Sequence, residues 1–397
     1  MRIAMHLIPS FVAAFTAALL LAAQPAAAQP RVTDTEIVLG SHLDLSGPTA
    51  AGLPMLRNAM QLRIDEANEA GGVHGRKLRL IVEDNALQPQ QAVRSVQKFI
   101  NQDKVFAIIN SFGSGPNAAT VKAATDAGVV VYAPWAASAI IRQVSANSPL
   151  LVTTVQNYDT TTATGLSWGL KNWGSKKVGF IFQEGPFGDL VRRGVKTALD
   201  AHGLTLAAEA GYKAGDIDFS SQVARMKAAG VDLIVAATVI RETIAVSGEV
   251  KKLGWNDVKV LTVLPGRSTI VATLGKTAVE GLYGIGGWKL NYADSAPADA
   301  KKVMDAYKKK FNVDPDENAL NAYSYTDWFI KGLQAAGRNI TAEGFVKAIG
   351  GVTQEDFTTY GKMSFTSNHA GPEMVEIDQV KGGRWVSLTK PMTGVIK

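Results

Sequence analysis

Along the chain, apolar runs too short for helices alternate with longer stretches in which apolar residues return every three or four positions. The runs predict strands and the longer stretches predict amphipathic helices. In the first part of the chain, strands are expected over 36–39, 77–83, 106–110 and 128–133. Leu56, Ala59, Met60, Ile64 and Ala67 mark one face of a helix over 53–70, which Gly71 and Gly72 close as a left-handed cap does. Ala92, Val93, Val96, Phe99 and Ile100 mark the next helix. The runs at 106–110 and 128–133 carry almost no polar alternation, as expected of strands buried on both faces of a parallel sheet.

After a run at 150–153 the same alternation begins again. Helices over 161–173, 190–202, 219–229 and 242–253 interleave with strands over 177–183, 204–212, 231–238 and 259–263. A return over 281–288, helices over 298–311 and 318–336, and short strands with a turn within 362–388 complete the chain. The fold class read from this order is α/β, with two doubly wound lobes built on parallel sheets.

The two unbroken runs end in turns of unusual composition. The first opens into Ser111, Phe112, Gly113, Ser114, Gly115 and Pro116, and the second into Pro134, Trp135, Ala136, Ala137 and Ser138. Ligands of open parallel sheets collect at the carboxyl ends of strands, and helix N-termini there attract carboxylates. These turns are therefore the candidate site for a small anion. The competing reading is that they are ordinary strand-to-helix turns needing Gly, Ser and Pro only for geometry.

Composition narrows the classes. A 397-residue chain that is 46% hydrophobic can bury two sizeable cores. Its net charge of +6 is spread without a run of five like charges, so no nucleic-acid partner is expected. Arg2, an apolar segment over 8–23 and Ala26-Ala27-Ala28 before Gln29 predict a cleaved signal peptide over 1–28 and a periplasmic protein. A membrane anchor is the alternative, although the segment is short for a span. The absence of cysteine excludes disulfides, thiol nucleophiles and a lipidated N-terminal Cys. His6, His42, His74, His202 and His369 do not pair at metal spacing, and no GxSxG, Walker or HExxH pattern occurs. Glu83 and Asp84 are adjacent in an expected strand and so face opposite ways. No enzyme activity, cofactor or metal is expected.

The stretches IVLGSHLDLSGPTA, DEANEAGGVHGRKLRLIVEDN with QPQQAV after it, FGSGPNAATVKAATDAGVVVYAPWAAS, KKVGFIFQEGPFGDLVRRGV, DIDFSSQVARMKAAGVDLIV, TAVEGLYG and GKMSFTSNHAG together resemble the periplasmic solute-binding proteins of the leucine/isoleucine/valine type, the receptors of ABC importers. The likeness spans about 35–387 in the family's order and spacing. It implies a type I periplasmic-binding-protein fold whose two lobes are joined by three crossings, near Thr153, Gly286 and Thr358. One lobe would hold 29–152 with 287–357 and the other 153–286 with 358–397, closing by a hinge on a ligand. It further implies a small-molecule ligand, an ABC permease in the inner membrane as partner, and a monomer.

The family holds an α-amino acid by its carboxylate in the first lobe and by its ammonium in the second. Carried onto this chain, the carboxylate turn falls on Ser111, Phe112 and Gly113, where Gly113 replaces the usual serine with Ser114 beside it. The second turn falls on Trp135, Ala136 and Ala137, where Ala137 replaces a Thr or Ser with Ser138 next. The second lobe's aromatic positions correspond to Phe187 and Val239, the latter close to Arg241. The ammonium-binding Glu falls near Leu264 or Pro265, and no acid stands there. An aromatic or aliphatic acid without an ammonium is thus the favoured ligand. Arg241 or Arg267 is available for a second acidic group. The alternatives are an amino acid, with Glu184, Asp189 or another acid restoring the ammonium site, and a ligand sensor of the same fold.

Overall fold

A computed structural model describes residues 31–154, 157–364 and 374–397. The expected leader over 1–28, and part of the strand region expected over 362–388, lie outside the described residues.

The chain opens with β1 (Glu36–Leu43), α1 (Leu53–Glu69), β2 (Lys77–Asp84), α2 (Pro89–Asn101), β3 (Ala107–Ile109), α3 (Ser114–Asp126), β4 (Val130–Tyr132), α4 (Ser138–Val144) and β5 (Leu151–Val152). The five strands form one all-parallel sheet in the order β2-β1-β3-β4-β5. Every residue of β3 and β4 is buried, which is why neither run shows alternation.

The chain continues through α5 (Tyr158–Trp173), β6 (Val178–Gln183), α6 (Pro186–Ala201), β7 (Leu206–Tyr212), α7 (Ser220–Ala228), β8 (Leu233–Ala237), α8 (Ile240–Lys252), β9 (Lys259–Thr262), α9 (Thr269–Gly275) and β10 (Tyr283–Gly286). It then runs through α10 (Ala298–Phe311), α11 (Glu317–Ala335), α12 (Ala342–Ile349), β11 (Thr353–Gln354) and β12 (Met363–Ser364) to β13 (Glu376–Lys381) and β14 (Arg384–Ser387). The second sheet has the order β14-β13-β10-β9-β8-β6-β7, parallel except that β13 and β14 run antiparallel at one edge. The chain therefore leaves the first sheet after β5, leaves the second after β10, and re-enters the second at β13.

The helices between β10 and β13 pack against the first sheet. Phe345 of α12 meets Phe106 edge-on at 5.9 Å, and Phe329 of α11 lies 5.1 Å from Tyr132 of β4. The architecture agrees with the α/β expectation in its two parallel-dominated sheets.

Local chemistry sets several boundaries. Asp316 accepts from Ala319 N at 2.8 Å and begins α11, and Thr341 Oγ1 accepts from Gly344 N at 3.0 Å and begins α12. The stretch GPFGD, read as a loop before a helix at 190, is instead the start of α6. Pro186 heads that helix, where its missing N–H costs nothing. Gly188 fits because a Cβ there would stand 1.9 Å from the Gln183 carbonyl oxygen. Helices α4, α9 and α12 were not expected, because each is too short to display a period. Among the described residues no helix is long and apolar enough to cross a membrane.

Candidate functional site

The carboxyl ends of the two sheets face a shared cavity of about 60 Å³. From the first sheet's side come Thr49 and Leu53 after β1, Leu87 after β2, Phe112, Gly113 and Ser114 after β3, and Trp135 after β4. The second sheet's side supplies Gln183 at the end of β6, Phe187 in α6, Val239 and Ile240 after β8, Pro265 and Ser268 after β9, and Trp288 after β10. Tyr158 heads α5 on this wall, while Glu317 and Asn318 enter from the N-terminus of α11. The walls are largely aromatic: Tyr158 meets Phe187 edge-on at 5.1 Å, and Trp135 lies 6.2 Å from Trp288.

The two candidate turns are bonded into one unit. Phe112 and Trp135 form a parallel bridge, with Trp135 N donating to Ser111 O at 2.8 Å and Gly113 N to Trp135 O at 3.0 Å. Gly113 has φ 100°, and a Cβ on it would stand 2.8 Å from Leu87 Cδ1, so both backbone and space call for glycine. That backbone aims the first residue of α3 at the cavity. Ser114 sits there, where helical N–H groups have no partner within the helix. Its hydroxyl oxygen accepts from Ala137 N at 2.8 Å, which leaves the hydroxyl proton to donate toward the cavity.

Of the expected site residues, Phe112, Gly113, Ser114, Trp135, Phe187 and Val239 line the cavity. The others do not. Ser111 is fully buried, and its hydroxyl donates to Asn117 Oδ1 at 2.6 Å. Ala136 and Ala137 are fully buried, and Ser138 lies behind them with its Oγ 3.4 Å from Ala136 O. Leu264 is buried in the core, and it is its neighbour Pro265 that reaches the cavity wall. Arg241 is exposed, donating to Gly215 O at 3.1 Å. Glu184 and Asp189 are exposed and absent from the lining.

Arg267 is wholly committed elsewhere. It is buried, forms an ion pair with Asp378 of β13, and donates to Trp288 O at 2.9 Å. Burial works against its charge, but Asp378 more than restores it, so its pKa is raised. Gly284 and Gly286 of β10 make room for this side chain, since a Cβ on either would stand 2.7 or 2.6 Å from Arg267 atoms. Among the described residues the cavity lining thus contains no Lys or Arg.

Glu317 is the charged residue that the sequence reading missed. Its Oε2 accepts from the backbone N–H of Thr269 at 3.1 Å and from the Thr269 hydroxyl, and its Oε1 accepts from Asn318 Nδ2 at 3.3 Å. Thr269 begins α9 beside the second sheet, while α11 packs on the first, so this carboxylate ties the two walls together. Asp316, next to it, is lifted to about 7 by burial and then by the Glu317 charge. Nothing in the sequence pattern marks Glu317 apart from other acids at helix starts. Gln183 and Trp288 were within reach of the rule that ligands gather at strand ends. Among the described residues no cluster of three or more His, Asp or Glu could hold a metal ion.

Comparison with known proteins accords with this architecture. A family model described as "Periplasmic binding protein" matches residues 36–384. The Leu/Ile/Val-binding protein BraC3 of Rhizobium johnstonii is 26% identical over 320 residues, covering 79% of this chain and 83% of that protein. The leucine-, isoleucine-, valine-, threonine- and alanine-binding protein of Pseudomonas aeruginosa is 27% identical over 294 residues, covering 74% of this chain and 76% of that protein. Among solved structures, the fatty acid ABC transporter substrate-binding protein from Thermomonospora curvata superposes with a TM-score of 0.80 at 27% identity, over 92% of this chain and 94% of that one. With the match spanning both sheets and every strand edge that builds the cavity, the chain belongs to the periplasmic binding protein family.

Proposed function

We propose that the protein is the solute-binding receptor of an ABC importer, closing on a small carboxylate-bearing ligand with an aromatic or aliphatic body and delivering it to an inner-membrane permease. It acts as a monomer in the periplasm after loss of residues 1–28. The observation that carries this reading is the cavity itself. It has aromatic walls from both sheets, and the head of α3 with the Ser114 hydroxyl gives one end an affinity for anions.

The acid of the amino-acid-binding relatives does not reappear at Leu264 or Pro265, and Glu184 and Asp189 stay outside the cavity. Glu317 does line it, but its oxygens already accept three hydrogen bonds. An ammonium buried without a full partner costs several kcal/mol, on the order of a thousandfold in affinity. A simple carboxylic acid is therefore favoured. The second reading, an amino acid, is favoured by the one observation that Glu317 reaches the cavity.

Thermal-shift screening of matched pairs, each amino acid beside its deaminated analogue, separates the two. Stabilisation by the deaminated acids supports the proposal. A large shift with leucine or phenylalanine and none with their deaminated partners overturns it in favour of the second reading.

A further inference from the structure

Two side chains on the cavity wall carry buried polar atoms that no group among the described residues satisfies. Gln183 Oε1 and Trp288 Nε1 are both shut away from bulk water, and neither has a hydrogen-bond partner among the described residues. Both residues line the same cavity, one at the end of β6 and the other just after β10. Buried polar atoms in folded proteins are nearly always paired, and leaving one unpaired costs about 1–3 kcal/mol. Two such atoms on residues that line one cavity point to a ligand whose entry supplies their partners.

Both groups stand on backbone that the fold holds in place. Trp288 is anchored through its carbonyl, which accepts from Arg267 Nη1 at 2.9 Å and from the Tyr360 hydroxyl at 2.8 Å. Its ring is held 6.2 Å from Trp135. Gln183 is the last residue of a strand paired on both sides, with β7 and β8.

We propose that Gln183 and Trp288 form a second polar subsite and that the ligand carries a hydroxyl group in addition to its carboxylate. This rests on the carboxylate reading given above and adds the class of acid. A hydroxyl both donates and accepts, so it can give its proton to Gln183 Oε1 while its oxygen receives the Trp288 N–H, or meet either one alone. An ammonium only donates and has nothing to offer the indole N–H. A purely apolar body would leave both groups unpaired, as they are in the empty protein.

The test is isothermal titration of the purified protein, and of its Gln183→Met and Trp288→Phe variants, with three pairs: benzoate and 4-hydroxybenzoate, 3-phenylpropionate and 3-phenyllactate, 4-methylpentanoate and 2-hydroxy-4-methylpentanoate. Met is close to Gln in volume and offers no comparable acceptor. In the wild type, the hydroxylated member of at least one pair is expected to bind about tenfold or more tighter than its partner. In at least one variant that ratio is expected to fall toward one, because the hydroxylated acid loses more affinity than its unhydroxylated partner. Acids that bind without any hydroxyl preference overturn this subsite and leave the carboxylate reading standing. A preference that survives in both variants also overturns it. If no acid of the six binds, the carboxylate reading fails and the subsite fails with it.

Discussion

The Ser114 hydroxyl oxygen accepts the Ala137 N–H at 2.8 Å, so the turn after β4 holds the side chain that the turn after β3 presents to the cavity. Neither alanine of the second turn touches the cavity, yet one of them sets the geometry at the end proposed for the carboxylate. Ser114→Ala should act twice. It removes the donor proposed for the ligand carboxylate and deprives the Ala137 N–H of its acceptor. We expect affinity for carboxylic acids to fall by about tenfold or more, with a stability loss of about 1–3 kcal/mol in urea unfolding. Unchanged affinity would show that the head of α3 is not the carboxylate site.

Glu317 and Thr269 tie the two walls of the cavity together through the Thr269 N–H and hydroxyl. Thr269→Val keeps the shape and the backbone bond but deletes the hydroxyl donor to a charged acceptor. A bond of that type contributes about 1.5–3 kcal/mol, so the tightest-binding acid from the matched-pair screen should bind the variant about tenfold or more weakly. Scattering at saturation should show less compaction on ligand addition. Equal affinity and equal compaction in both proteins would remove Glu317 from the closure mechanism.

Arg267 was a candidate for contact with an acidic ligand, but its buried partner is Asp378. Arg267→Met should therefore destabilise the protein by about 3–5 kcal/mol, because Asp378 is left as an uncompensated buried charge. The double variant with Asp378→Asn should recover much of that loss. A stability close to wild type in Arg267→Met, combined with lost affinity for diacids, would restore Arg267 as a ligand contact.

Burial lifts the Glu242 carboxyl from 4.5 to about 7, and the Asp44 charge adds a smaller push in the same direction. Arg241, 3.7 Å away, and nearby backbone donors oppose this. Because the folded value lies above the unfolded one, the folded state holds the proton more tightly. The associated stability is complete below about pH 4.5 and is lost as pH rises toward 7. The loss is of the order of 3 kcal/mol. Glu242→Gln carries no such proton, so its advantage over wild type should grow between pH 4.5 and 8 in chemical denaturation. A difference that is flat with pH would show that Glu242 is ionised throughout.

How far the sequence could be read differs from element to element. β3 and β4 were visible because a strand covered on both faces admits almost no polar residue, and the Gly-rich turns were visible because only such residues allow the backbone of Gly113. The sequence also carried the family resemblance and with it the α/β architecture of two parallel-dominated sheets. Helix α6 was placed several residues late because a Gly-Pro-Phe-Gly stretch reads as a loop until the close approach of Gly188 to the Gln183 carbonyl is known. Partners distant in the chain were not legible at all. Arg267 and Asp378 are 111 positions apart and Glu317 and Thr269 are 48 apart. Two arginines after two strands look alike in the sequence, yet one lies on the surface and the other is sealed in an ion pair.

The sequence by itself thus determined the repeating strand-and-helix order, the glycine at the head of α3 and the aromatic character of the cavity, since each depends on residue type and local spacing. The tertiary structure alone decided which polar groups are consumed by the fold and which reach the cavity. Hydrogen-bond capacity is shared out among residues that meet only after folding, and so Ser111 and Arg267 are taken, Ser114 accepts from Ala137 at the cavity, and Gln183 Oε1 and Trp288 Nε1 keep no partner among the described residues.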